Sequence, residues 1–225
     1  MLTVPSLGLA RLSQNRETVY VKYLTKFLTS ATDERHFPAP IAPEVAFVGR
    51  SNVGKSSLIN ALLGEKVAKT SSTPGRTRAI NFFSVRRQGQ ARPEVVFADL
   101  PGYGYAKLAK EVTAEWPLFI DPYLLGREAL ALIIVLVDTN IPPQERDKQL
   151  VQWLQHHSRP FVVVGTKSDR ISGNQLRNAV QKLTAELGVE RIVTFSKLGS
   201  GKENVWHEIL AAAETLNRAQ TGTAD

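Results

Sequence analysis

The chain has 225 residues, no cysteine, and ordinary shares of hydrophobic (43%) and charged (22%) residues. That length buries a core without disulfide staples, and the missing cysteines exclude disulfides, thiolate catalysis and cysteine-held metals. The formal net charge of +7 points to a polyanionic partner, while no run approaches the roughly 18 consecutive apolar residues of a membrane helix, so no membrane contact is expected.

Residues 1–44 read as an extension of a domain that follows. The start, MLTVPSLGLARLSQ, lacks the basic head, long apolar core and small-residue cleavage site of a secretory signal, so the cytoplasm is the expected compartment. In TVYVKYLTKFL, Tyr20, Leu24, Phe27 and Leu28 recur at helical spacing, which predicts a short amphipathic helix packed on the domain. The prolines of HFPAPIAPE discourage helix and lead into a strand at 45–48. From there apolar, β-branched runs alternate with helical patterns over 55–64, 111–125, 143–157, 172–187 and 201–217. AINFFSVRR and RPEVVFADL are joined by polar residues around Gly89, a hairpin that supplies one antiparallel strand near an edge. The expectation is an α/β domain over 45–217: a six-stranded, mostly parallel sheet with one antiparallel strand and helices on both faces. Residues 218–225 are expected to fray.

Chemistry concentrates in four segments. GRSNVGKSS, residues 49–57, stands between a strand and a helix, with Gly49 and Gly54 placed so that backbone N–H groups can approach phosphate oxygens. Lys55 would reach the outer phosphates and the Ser56 hydroxyl would bind magnesium, while Arg50, Ser51, Asn52 and Val53 complete the loop. In FADLPGYG, Asp99 closes an apolar strand; it can hold the metal through water, and the Gly102 N–H beyond Leu100 and Pro101 can sense a terminal phosphate. Alone, that segment reads as a turn; following a phosphate loop, it reads as its partner. In VVVGTKSD, the Asp169 carboxylate can accept from N1 and the exocyclic amine of guanine, and the Lys167 stem can cover the ring face. The alternative there is a helix N-cap by Ser168 or Asp169. TFSKLG offers the backbone of Phe195, Ser196 and Lys197 to the base oxygen.

These segments, in this order, resemble a translation-factor-type small GTPase over residues 45–216. PEVAFVGRSNVGKSSLINALLG, TPGRTRAINFF, DLPGYGYAK, TKSD and FSK are similar more narrowly to the bacterial EngB (YihA/YsxC) GTPases. That resemblance implies a Ras-like P-loop GTPase fold and bound GTP or GDP with magnesium. It also implies a role in assembling the large ribosomal subunit and a link to cell division. PGRTRA then becomes the first switch, with Gly75, Arg76, Thr77, Arg78 and Ala79 near the nucleotide and Thr77 a magnesium ligand. Thr166 stands where many GTPases carry asparagine, and Lys197 departs from the commoner small residue. Tyr103 replaces the glutamine that orients water in many GTPases and is expected to point away, so intrinsic GTP hydrolysis is expected to be slow. Catalysis would rest on Lys55, Thr77 and Asn52, the last of which helps bind potassium in related GTPases or else only braces the loop. Lys66, Lys69, Arg76, Arg78, Arg86, Arg87 and Arg92 make residues 66–92 basic with no acidic residue. An immature large subunit is the expected partner there and a monomer the expected state. The competing readings are a nucleotide-gated RNA-binding module with negligible hydrolysis, and a P-loop ATPase or kinase.

Overall fold

The computed structural model describes residues 22–68, 79–103 and 120–222. The Val-, Ile- and Phe-rich runs form strands β1 (Tyr23–Ala31), β2 (Glu44–Gly49), β3 (Ile80–Arg87), β4 (Val95–Asp99), β5 (Leu130–Asp138), β6 (Phe161–Thr166) and β7 (Ile192–Thr194). They make one sheet in the order β1-β3-β4-β2-β5-β6-β7, in which β3 alone runs against its neighbours. The helices are α1 (Lys55–Leu63), α2 (120–126), α3 (Glu145–His156), α4 (Gly173–Leu187) and α5 (Lys202–Thr221). None of the described helices is long and apolar enough to cross a membrane.

Alternation along the strands divides the core. Val45 and Phe47 of β2 face one cluster with Leu58 and Leu62 of α1 and Trp206 and Ile209 of α5. Ala46 and Val48 face the other, with Tyr123 of α2, Leu150 and Leu154 of α3 and Leu183 of α4.

Two expectations are corrected. Residues 23–31 are a seventh strand, not a helix, paired antiparallel with β3 from Tyr23↔Arg87 to Ala31↔Ile80. Tyr23 stacks on Trp206 at 4.1 Å and Phe27 packs edge-on to Phe83 at 5.6 Å, contacts open to an extended segment of aromatic and β-branched residues. A register shift between Phe27 and Thr29 then brings Leu28 and Ala31 to the second cluster. The frayed tail expected from 218 is helical through Thr221. Arg218 pairs with Glu214 at 3.3 Å, and no glycine or proline interrupts the run to Gly222, whose N–H donates to the Arg218 carbonyl.

Candidate nucleotide site

The phosphate-loop segment leaves β2 at Gly49, where an added Cβ would meet the Leu136 carbonyl oxygen at 2.9 Å, so the turn is packed against β5. Asn52 (φ 64°) and Gly54 (φ 115°) both take left-handed backbone, which folds the loop back onto the start of α1. The first α-helical bond is Leu58 N–H to Gly54 O at 2.9 Å, so the helix N-terminus, with its partial positive charge, lies at the end of the loop. Lys55 Nζ donates to Asp99 Oδ1 at the carboxyl end of β4, with both side chains nearly buried. An ammonium held against a single carboxylate at a helix N-terminus suits a phosphate chain with a divalent cation: the anion takes the ammonium and the metal takes the carboxylate.

The segment beyond Asp99 continues to pair with the loop. Leu100 N–H donates to Phe47 O (3.1 Å), Tyr103 N–H to Gly49 O (3.3 Å) and Ser51 N–H to Tyr103 O (3.0 Å). A Cβ on Gly102 would lie 3.1 Å from Ser51 N, so any side chain there would press on the phosphate-loop backbone. Tyr103 is turned into the protein, its hydroxyl donating to Asp147 Oδ1 at 2.8 Å. Burial, and then the Asp147 charge, push that phenol well above its ordinary value.

The base side is built at the ends of β5 and β6. The buried Thr166 Oγ1 lies 2.6 Å from Val53 O and 3.0 Å from Val137 O, so it links the base-side strand to the phosphate loop. Lys167, at φ 60°, is ion-paired to Asp138 at 2.6 Å. Asn140 donates to Asp138 Oδ1 through its backbone and side-chain N–H groups, and to Lys167 O. Burial pushes the Asp138 carboxyl up, but the Lys167 ammonium and the Asn140 donors outweigh it and hold the group below its ordinary value. Asp169 is exposed, and its Oδ1 accepts the Lys197 N–H at 3.1 Å. Ser168 N–H donates to Phe195 O at 3.3 Å. The side chains of Phe195 and Ser196 are buried, so this loop presents backbone and Lys197 to the crevice.

Of the residues singled out in the sequence, Gly49–Ser56, Asp99–Gly102, Thr166–Asp169 and Phe195–Lys197 therefore converge on the carboxyl ends of β2, β4 and β6 and the loop after β7. Gly75, Arg76, Thr77 and Arg78 lie outside the described residues; Ala79 is half-buried immediately before β3. Asp138 and Asn140 escaped the sequence reading, although Asp138 closes an apolar strand as Asp99 does. Asp147 also escaped, and carries no signal beyond a place near a helix start. A crevice with a helix N-terminus at one end and an exposed, loop-aligned carboxylate at the other can hold an anionic chain and a base with paired N–H donors.

Residues 44–167 match a family model described as a 50S ribosome-binding GTPase. Over 203 residues the chain is 60% identical to the probable GTP-binding protein EngB of Koribacter versatilis (strain Ellin345), covering 90% of this chain and 100% of that one. It is 55% identical over 196 residues to the EngB of Acidobacterium capsulatum, covering 86% and 93%. A solved structure of a probable GTP-binding protein EngB shares the fold with a TM-score of 0.62 at 24% identity, over 76% of this chain and 99% of that one. Era, solved with MgGDPNP and nucleotides 1506-1542 of 16S ribosomal RNA, gives a TM-score of 0.63 at 26% identity, over 77% of this chain and 57% of that one.

Proposed function

This chain belongs to the EngB family of P-loop GTPases, and from that premise we propose that it is a GTP-hydrolysing switch in large-subunit assembly, binding the immature particle in its GTP state and leaving after hydrolysis. One observation carries the nucleotide half of this reading: the Thr166 hydroxyl ties the strand that leads into Lys167 and Asp169 to the Val53 carbonyl of the phosphate loop. Triphosphate and base sites on one rigid support fix the distance between them. Asp169 selects guanine, since adenine has no paired N–H donors to offer it, and this disfavours the ATPase or kinase reading.

Lys55, on binding triphosphate, exchanges part of its contact with Asp99 for the outer phosphates and holds positive charge where the leaving group gains negative charge. Ser56 and Thr77 would hold the magnesium ion, which supplies further charge stabilisation there. Asn52 is exposed on left-handed backbone at the loop's bend, where its carbonyl oxygen, with the first-switch backbone, suits a potassium ion. Turnover faster in potassium than in sodium, and equal in the two salts for Asn52→Ala, is the expected result. The intrinsic rate is slow because Tyr103 is engaged by Asp147 and orients no water. That last observation also favours a second reading, an RNA-binding module with negligible hydrolysis.

The chain acts in the cytoplasm as a monomer, and its ribosomal contacts lie along the basic stretch 66–92. Of that stretch, Lys69, Arg76 and Arg78 are outside the described residues, while Lys66 and Arg92 are exposed. Cosedimentation with large-subunit precursors in a GTP analogue and in GDP, paired with single-turnover hydrolysis with and without particles, tests the proposal. Association in the analogue state and particle-stimulated hydrolysis are expected. Association without hydrolysis would favour the module, and equal association in both nucleotides would defeat the switch.

A further inference from the structure

Two residues that the nucleotide chemistry leaves aside, Arg50 of the phosphate loop and Tyr103 after Gly102, converge on one buried carboxylate. Asp147 is 2% exposed, in the first turn of α3. Its Oδ1 accepts the Tyr103 hydroxyl at 2.8 Å. Its Oδ2 accepts the Gln144 N–H at 2.9 Å, in a reciprocal cap of α3, and lies 3.5 Å from Arg50 Nε, an ion contact without a hydrogen bond. The backbones of the same two residues are bridged, through Tyr103 N–H to Gly49 O and Ser51 N–H to Tyr103 O. Side chains and backbone therefore fix the same relation, the register of the Gly102 segment on the phosphate loop.

We infer that Asp147 is a positioning residue for GTP hydrolysis: anchored by the α3 cap, it holds Arg50 and Tyr103 so that the Gly102 N–H keeps one register against the phosphate loop. The inference rests on the GTPase reading above and assigns α3 a part in it. Leaving that register separates the Tyr103 hydroxyl from a carboxylate that has almost no water to replace it, so the docked arrangement is favoured. Burial raises the phenol, which keeps it a donor across the working range of pH. A displaced Gly102 N–H would fail where charge grows on the terminal phosphate, more than in the binding of GDP, which has no such phosphate. The loss should fall on the hydrolysis constant, not on diphosphate affinity.

Tyr103→Phe removes one hydroxyl, and Asp147→Asn keeps the shape while removing the charge. Single-turnover hydrolysis at saturating GTP is measured for both, for the double variant and for the wild type, together with GDP affinity. Each single variant is expected to hydrolyse about fivefold or more slowly with GDP affinity within about twofold, and the double variant no more slowly than the slower single one, because both act through one node. Hydrolysis within about twofold of wild type in both singles, or losses that multiply in the double, would overturn the assignment. If Asp147→Asn does not fold, Tyr103→Phe decides by the same criterion. A wild-type chain that hydrolyses no GTP, alone or on ribosomal particles, would instead defeat the GTPase reading and this inference with it.

Discussion

A single hydroxyl joins the two halves of the nucleotide crevice. Thr166 Oγ1 faces Val53 O and Val137 O, and both contacts are buried. Thr166→Val keeps the shape and removes the donor, leaving the phosphate-loop carbonyl without it. Such a loss costs about 1–3 kcal/mol, to be read in urea unfolding, with a fall in GTP affinity beyond what the stability loss explains. Asp138 makes a different kind of prediction. Its folded pKa is depressed, so its contribution to stability is fully present above its unfolded value near pH 4 and is lost as pH falls through the folded value. Asp138→Asn should therefore be less stable than wild type at pH 7, and the gap should narrow by about pH 3. Because Asp138 also holds Lys167, the same variant should bind GTP more weakly at neutral pH. A gap that widens in acid would mean the carboxyl is not stabilised as an anion.

At the scale of elements, the start of β2 and the end of α2 are joined by one buried acid. Glu44 accepts from Arg127 Nη2 at 2.5 Å and from the Tyr123 hydroxyl at 2.9 Å, and Arg127 also donates to Pro38 O. Removing one partner of a buried pair leaves an uncompensated charge, so Glu44→Ala should cost about 3–5 kcal/mol in chemical unfolding. A double variant that also replaces Arg127 by Met should recover part of that loss. This network connects residues far apart in the chain, and its partners have no sequence signature, which is why it was not legible beforehand. The parallel core was legible because strands buried on both faces read as continuous Val and Ile runs and their helices as a separate period. β1 was not: Tyr20, Leu24, Phe27 and Leu28 fit a helix, while Tyr23, Thr25 and Phe27 fit a strand. The free edge of β3, which no local pattern reveals, decided between them. That Gly49, Lys55, Asp99 and Asp169 come together was legible because each stands at or shortly beyond the carboxyl end of a parallel strand, where an open α/β sheet gathers its loops. The roles of Thr166 and Asp147 depend on which backbone lies opposite them, and that emerges only on folding.

At the scale of the molecule, the nucleotide crevice and the basic surface belong to different parts of one sheet. The crevice sits at the carboxyl ends of the parallel strands, whereas β1 and β3 form the opposite flank from β6 and β7. The strand that replaced the expected helix brings exposed Lys22 and Lys26 beside β3, where Leu24 pairs with Arg86. Arg87 is partly neutralised by Glu94 at 3.0 Å, which leaves Lys22, Lys26, Arg86 and Arg92 as the cations of this flank without an acidic partner among the described residues. β3 begins at Ile80, directly after the first-switch segment, so a partner held on this flank is in covalent continuity with the residues expected to read the terminal phosphate. If that partner is ribosomal RNA, binding must release counterions, and affinity for large-subunit precursors in the GTP-analogue state should fall linearly on logarithmic axes as salt rises. Each lost phosphate contact lowers the slope by about 0.7–0.9, so Lys26→Gln, Arg86→Gln and Arg92→Gln together should flatten it by about 2 to 3. Thermal unfolding of this triple variant should stay close to wild type, because none of the three side chains is buried and the one hydrogen bond lost, Arg86 to Gln90 O, is exposed. A slope unchanged by these substitutions would move the ribosome-binding surface off this flank.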